Sequence, residues 1–372
     1  MEKQNTDEQV MYAYWFHNMK LAGNKKMWEI SERIGSPGQI YDCDPQRLGQ
    51  ILTDKQLKYL ENSKSMWDLE KEWEKLEEKK IRFLPYFHRD YPEYLREIPD
   101  PPWGIYLKGK LPDKRAPRAA IVGARQCSEY GRNMAVRLGR ILGENGIPVI
   151  SGMARGIDGI SQRETLEAGG ESLAVLGCGV DICYPLENRD LYNRLEIQGG
   201  ILSEYPPGTQ PIARNFPPRN RIISGLCDVL IVVEAKEKSG TLITVDMALE
   251  QGKEVLALPG RMTDALSRGC NNLIRQGAGI LTSPEDVFQF LPGSKEKNAK
   301  HSLIDETDID AAIRTEEERE LYRVLDYMPK SLERIWSEYN RDNISMQRLM
   351  QMLLELYMRG VVGQAGGSYY KK

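Results

Sequence analysis

Residues 119–152 read AAIVGARQCSEYGRNMAVRLGRILGENGIPVISG, and their pattern decides the fold. The stretch opens on a short apolar run that ends in glycine, AAIVG (119–123), and closes on another, PVISG (148–152). Between them, EYGRNMAVRLGRILGEN (129–145) puts Met134, Leu138, Ile141 and Leu142 on one face of a helix. The unit is therefore strand, helix, strand. Further runs of the same kind follow: SLAVLG (172–177), GILSE (200–204), DVLIVVEA (228–235), EVLALPG (254–260) and GILTS (279–283), with helical patterns at 241–252 and 271–277. Strands that are apolar throughout are buried on both faces, and repeated alternation with helices predicts an α/β, Rossmann-like, doubly wound, mainly parallel sheet over 118–291.

Outward from this block the texture changes. Residues 1–80 carry Lys, Glu, Trp, Tyr and Leu at helical spacing and predict a small helical domain, its aromatic residues forming a core. Residues 81–117 are dense in Pro and aromatics with no sustained period and predict an ordered connector. Residues 292–314 are polar and then acidic, the composition of a linker. In 315–372, helical patterns at 316–327, 331–340 and 345–359 precede a hairpin around Gly366-Gly367, the layout of a winged helix.

Composition removes several classes of function. In 372 residues, 41% hydrophobic and 28% charged, no stretch approaches the roughly 18 apolar residues of a membrane span. The polar opening MEKQNTDEQV lacks the layout of a secretory signal, so a cytoplasmic location is expected. The six cysteines are scattered without a C-x-x-C, and none of the three histidines lies between His88 and His301. A zinc site and a histidine base are therefore not expected, and no cofactor is assigned. A net charge of −3 argues against coating by a polyanion but leaves room for a local basic groove.

Open parallel sheets bind ligands beyond the carboxyl ends of their strands. Four turns at those ends are rich in small residues. Gly123 and Arg125 follow the first run, with Ser128 and Gly131 at the head of the next helix. Ser151, Gly152 and Arg155 follow the second, Gly177 and Gly179 the third, and Ser239, Gly240 and Thr241 come after Glu234. Backbone amides at such turns, with Arg125 and Arg155, make an anion site. Each turn taken singly is also explained as a tight connection. FPPRNR (216–221), preceded by Arg214, adds Phe216 on a Pro-fixed loop with Arg219, Asn220 and Arg221. These are the ingredients for single-stranded nucleic acid, charges that track phosphates and a ring on which a base stacks. A core position for Phe216 and plain surface positions for the arginines are the competing readings. Asp158 and Asp181 read as loop braces.

The motifs VGARQCSEYG, SGMARGID, GCGVDICYP, SEYPPG, FPPRNRIISG, VVEAKEKSGTLIT, LPGR and GCNNLI resemble, in order and spacing, the DNA-processing protein A (Smf) family over about residues 118–290. That resemblance implies a single-stranded DNA-binding protein without catalytic activity. Such a protein protects incoming strands and loads the RecA recombinase during natural transformation. It also implies a homodimer, a sterile-alpha-motif-like N-terminal domain and a winged-helix tail. Gly123-Ala124-Arg125 and Phe216–Arg221 correspond to the lining of the family's strand-binding pocket. This sequence departs from the family at three places. Ser161-Gln162 replaces Ala-His, Ala213 stands where many members have Lys, and Ala124 stands where Thr or Ser is common.

Two other readings compete. A nucleotide-processing Rossmann enzyme of the phosphoribohydrolase type needs G-G-x-G-T-x-x-E, and Ser239–Thr244 lacks the Glu. A duplex-reading winged helix has only Arg348 and Arg359 as cations on its recognition helix, 345–359, opposed by Glu355. A protein-contact role for that module is an equal alternative.

Overall fold

The structure, a computed structural model, describes residues 2–19, 23–293, 313–327, 329–339, 344–365 and 367–371. The polar 292–314 stretch and the turn residue Gly366 fall largely or wholly outside these.

The N-terminal helices are α1 (Glu2–Asn18), α2 (Asn24–Ile34), α3 (Pro37–Tyr41), α4 (Pro45–Leu48), α5 (Asp54–Met66) and α6 (Leu69–Glu78). The starts of α3 to α6 are set by side-chain caps: Ser36 and Thr53 in capping boxes with Gln39 and Gln56, and Asp44 and Asp68 singly. Each cap supplies an acceptor to an amide that the first turn leaves unpaired. The aromatic residues are core, with Trp15, Phe16 and Trp103 fully buried in one cluster. Buried Trp103 satisfies its indole N–H on Ser31 Oγ at 2.8 Å.

The sheet contains β1 (Ile81–Pro85), β2 (Gly104–Gly109), β3 (Ala119–Val122), β4 (Val149–Ser151), β5 (Ser172–Val175), β6 (Gly200–Ser203), β7 (Val229–Val232), β8 (Glu254–Ala257) and β9 (Gly279–Ile280). Their order is β1-β2-β6-β5-β4-β3-β7-β8-β9. From β6 to β9 every pairing is parallel, and β2 and β1 extend the sheet antiparallel at the β6 edge. The stretch read as a connector thus supplies two strands and the short helix α7 (Glu93–Arg96).

Every residue of β3 to β7 is buried, whereas toward the edge Glu254 of β8 and Ile280 of β9 are exposed. Ala120, Val122, Leu230 and Val232 enter one core cluster, while Ala119, Ile121, Val229 and Ile231 enter the other. This alternation follows from the two-residue period of a strand. The covering helices are α8 (Glu129–Glu144), α9 (Ile157–Glu167), α10 (Arg189–Gln198), α11 (Phe216–Gly225), α12 (Gly240–Glu250) and α13 (Arg268–Arg275). Helices α8 and α9 approach closely because Gly139 and Gly143 carry no Cβ. One at Gly139 would strike the Ser161 carbonyl, and one at Gly143 the Thr165 carbonyl.

The C-terminal unit holds α14 (Glu316–Val324), β10 (Lys330–Ser331), α15 (Leu332–Glu338), α16 (Met346–Met358), β11 (Val362–Ala365) and β12 (Ser368–Lys371). Its strands form an antiparallel sheet in the order β10-β12-β11 around a separate core that includes Leu321, Ile335, Leu349 and Leu353. It meets α8 through Arg137, which donates to the Tyr327 hydroxyl at 3.2 Å, and meets the 259–268 loop through Arg261 and Asp326 at 3.6 Å. Among the described residues no helix is long and apolar enough to cross a membrane.

Candidate functional site

From β3 the chain winds through β4, β5 and β6 to one side, then returns to place β7, β8 and β9 on the other. The gap between the carboxyl ends of β3 and β7 is the switch point of the sheet, where connections leave in opposite directions and open a crevice. A cavity of about 530 Å³ lies there, lined by Gly123, Ala124 and Arg125 after β3, by Phe216, Arg219 and Asn220 of α11, and by Ser239, Gly240 and Thr241 at the start of α12.

The loops are held by specific contacts. A Cβ on Gly123 would collide with Ile157, so glycine lets the loop after β3 lie on the start of α9. Gly123 O accepts from Thr241 Oγ1 at 3.3 Å, which ties the first loop to α12. The turn after β4 passes through Met153 at φ 53° and Gly156 at φ 72°. The left-handed region is disfavoured for a residue with a Cβ, so Met153 needs support. Fully buried Gln162 provides it, its Oε1 accepting from Met153 N at 3.0 Å while its Nε2 donates to Ser172 Oγ at 3.0 Å. The residue that replaces the family's His therefore braces the turn from inside.

Phe216 begins α11, with prolines in its first turn. The Pro-fixed loop expected here is the opening of a helix, because Pro is tolerated where the first amides have no intrahelical acceptor. The Phe216 ring packs over Gly177, where a Cβ would touch it, and remains partly exposed at the cavity. Two cations flank it: the guanidinium of Arg125 lies 5.7 Å from the ring centroid and that of Arg219 5.8 Å. Tyr184 presents its own ring 5.7 Å away at an interplanar angle of 35°. Buried Asn215 anchors the start of the segment, donating to Gly177 O at 3.2 Å.

The two cations differ in kind. Arg125 is exposed and has no carboxylate partner among the described residues. Arg219 is 4% exposed and donates to the carbonyls of Gly152 and Val175. Its Nε is buried without an acceptor among the described residues. Burial pulls the Arg219 pKa down to about 10, only partly offset by the nearby Asp158 charge. Burial likewise pushes Asp158 up, against Arg219 and the Gly152 amide that donates to it at 3.1 Å. Removing either charge from water costs more than their mutual attraction returns.

Other expected site residues are placed elsewhere. Arg221 is a structural clamp: it donates to both oxygens of Glu204, at 3.0 and 2.7 Å, and to the Asp100 carboxylate at 3.0 Å, with its side chain 8% exposed. It faces β6 and the 81–117 segment rather than the cavity. The head of α8 is filled from within. Ser128 caps it through Gly131 N at 3.1 Å, and the Glu234 carboxylate accepts from Ser128 N and Oγ. A Cβ on Gly131 would strike that carboxylate. Ser151 is fully buried and donates to Ile121 O at 2.6 Å, and Gly152 is overlain by Arg219. Arg155 is exposed and paired with Glu187 outside the cavity lining, and Arg214 is exposed in the turn Ala213–Asn215 that precedes α11. Tyr184 was not singled out in the sequence, where the signal was available as an aromatic next to Pro185 in a Gly-rich loop.

The model of a family described as DNA recombination-mediator protein A matches residues 82–292, more than half of the chain. The DNA processing protein DprA of Streptococcus pneumoniae is 44% identical over 203 residues, which cover 54% of this chain and 72% of that one. The Bacillus subtilis protein of the same name is 40% identical over 226 residues, covering 60% of this chain and 75% of that one. The X-ray structure of the S. pneumoniae protein superposes with a TM-score of 0.66 at 34% identity, covering 76% of this chain and 98% of that structure. A structure of the Helicobacter pylori DNA processing protein A, described for its mode of binding single-stranded DNA, superposes with a TM-score of 0.51 at 29% identity, covering 56% of this chain and 94% of that structure. The chain belongs to the DNA recombination-mediator protein A family.

Proposed function

We propose that the cavity at the sheet's switch point binds single-stranded DNA, and that the protein acts in natural transformation and recombination by protecting incoming strands and loading a RecA-type recombinase. The observation that carries this reading is the partly exposed Phe216 ring set between the guanidinium groups of Arg125 and Arg219. A base that stacks on such a ring gains about 1–3 kcal/mol, but only when it is unpaired. Arg125 and the amides at the start of α12 then hold the adjoining phosphates, which positions a strand without reading its sequence. The name of the H. pylori relative supports the same ligand class.

The protein works by binding in this reading, not by catalysis. The Glu234 carboxylate is engaged by Ser128, and Ser239–Thr244 lacks the Glu of a phosphoribohydrolase. Family membership supports a cytoplasmic location and a homodimer. The helix and strand order of the C-terminal unit supports a winged helix there, with the N-terminal helices as a sterile-alpha-motif-like domain. The test is fluorescence anisotropy with labelled oligo-dT and a matched duplex across a salt series. Preference for the single strand, with affinity falling steeply as salt rises, is the expected result. Equal affinity for both, or none at low salt, would overturn the proposal.

A further inference from the structure

A cavity of about 600 Å³ lies at the opposite ends of the strands, beneath the segment 110–114 and beside α7. Its floor is formed by the core residues Ile150, Leu173 and Leu226. Arg118 enters it from the amino end of β3 and is 5% exposed, its guanidinium lying face-on to the Tyr94 ring at 3.8 Å. Among the described residues this buried cation has no carboxylate within ion-pair reach. Asp228, the nearest acid bonded to the residue, accepts from its backbone N–H at 2.8 Å. Among the described residues the side chain's one acceptor is the Lys114 carbonyl, 3.3 Å from Nη2, and Nε is buried without any. Lys114, exposed at the rim, also donates to a carbonyl, Arg89 O, at 2.9 Å.

The remaining charges around the cavity do not balance Arg118. Arg82 is opposed by Asp90 and Lys110 by Glu171, so neither pair contributes a net charge. Glu93, Glu97 and Asp113 stand at the rim and are exposed, where water screens them. A buried charge without a partner is costly, whereas rim charges interact weakly through water. The site therefore has an apolar floor and a charged rim, with Arg118 as a buried, uncompensated cation in its wall.

We propose that this cavity binds a small amphipathic anion, an aromatic or short aliphatic carboxylate, with its charged head on Arg118 and its body on Ile150, Leu173 and Leu226. The volume suits a ligand of drug-like size, and an apolar floor beside a buried polar group that fixes orientation is the usual composition of such sites. The proposal is independent of the DNA-binding reading, since the two cavities lie at opposite ends of the sheet.

The experiment uses the full chain and fluorine NMR of 4-(trifluoromethyl)benzoate, with the neutral 4-(trifluoromethyl)benzamide as its partner probe. The wild type is expected to bind the acid at least tenfold more tightly than the amide. Arg118→Met should remove that preference while amide binding persists, which reports an intact cavity. If Arg118→Met does not fold, Lys114→Ala, at an exposed position, should reduce the preference at least threefold. Oligo-dT at saturating concentration should leave probe binding unchanged. Equal affinity of the wild type for acid and amide, a preference retained in the variants, or displacement of the probe by oligo-dT would each overturn the proposal.

Discussion

Glu234 holds Ser128 by two hydrogen bonds, from its backbone N–H at 2.9 Å and from Oγ at 2.5 Å, so a carboxylate of the protein itself sits at the amino end of α8. The helix start that sequence spacing offered to a phosphate is already satisfied. Replacing Glu234 with Gln keeps the shape but exchanges a charged acceptor for a neutral one. This should lower stability by about 1–2 kcal/mol, the usual difference for a buried hydrogen bond to a charged group. Urea unfolding measures it, and oligo-dT affinity should stay within twofold of wild type. A marked gain in affinity would show instead that phosphate competes for this position.

Three arginines of the expected site should separate by experiment. Arg125→Ala removes an exposed side chain, so it should cost at least tenfold in strand affinity and leave the unfolding midpoint unchanged. Arg221→Met breaks a buried clamp and strands Glu204, which should destabilise the protein by about 3 kcal/mol. The binding of the folded fraction should be spared. Arg219→Met should do both, because the residue spans Gly152 and Val175 while flanking Phe216. Paired denaturation and anisotropy series on the three variants test the assignment. It fails if Arg221→Met loses affinity more than Arg125→Ala.

Stacking gives a different signature from charge. Phe216→Ala should weaken oligo-dT binding by about 1–3 kcal/mol without changing its salt slope, since no phosphate contact is removed. Phe216→Trp should retain binding. Tyr184→Ala, at the neighbouring ring, should show a smaller loss of the same kind. A change in salt slope for Phe216→Ala would assign the ring to positioning Arg125 rather than to contacting a base.

What was legible in the sequence followed local period. The seven apolar runs from AAIVG to GILTS are β3 to β9, because strands inside a parallel sheet are covered on both faces and are mostly apolar. β1 and β2 were not legible. They lie in a Pro- and aromatic-rich stretch, and β1 is the edge strand with β2 beside it, so Phe83 and Tyr106, which pack with the N-terminal helices, were chosen by tertiary neighbours rather than by alternation. The site was legible as a list of residue types after each strand, and Gly123, Arg125, Phe216, Arg219 and Ser239–Thr241 do converge. Arg221 was misread because spacing places it two residues from Arg219 without revealing that Glu204 and Asp100, far off in the chain, face it. Long-range ion pairs leave no local trace.

The N-terminal helices should make stability depend on mild acid. His17 Nδ1 lies 3.0 Å from the Tyr106 hydroxyl, and burial pulls the His17 pKa from 6.5 to about 3. The folded protein therefore keeps this ring neutral while the unfolded chain takes up a proton below pH 6.5. Since the unfolded state binds more protons there, stability contributed by the neutral ring is complete above pH 6.5 and is lost as pH falls from 6.5 toward 3. The slope is at most about 1.4 kcal/mol per pH unit. Melting of the full chain between pH 7.5 and 4.5 should show this decline. His17→Asn, less stable at neutral pH, should follow a flatter profile across the same interval. A parallel decline in wild type and variant would place the acid sensitivity in other groups.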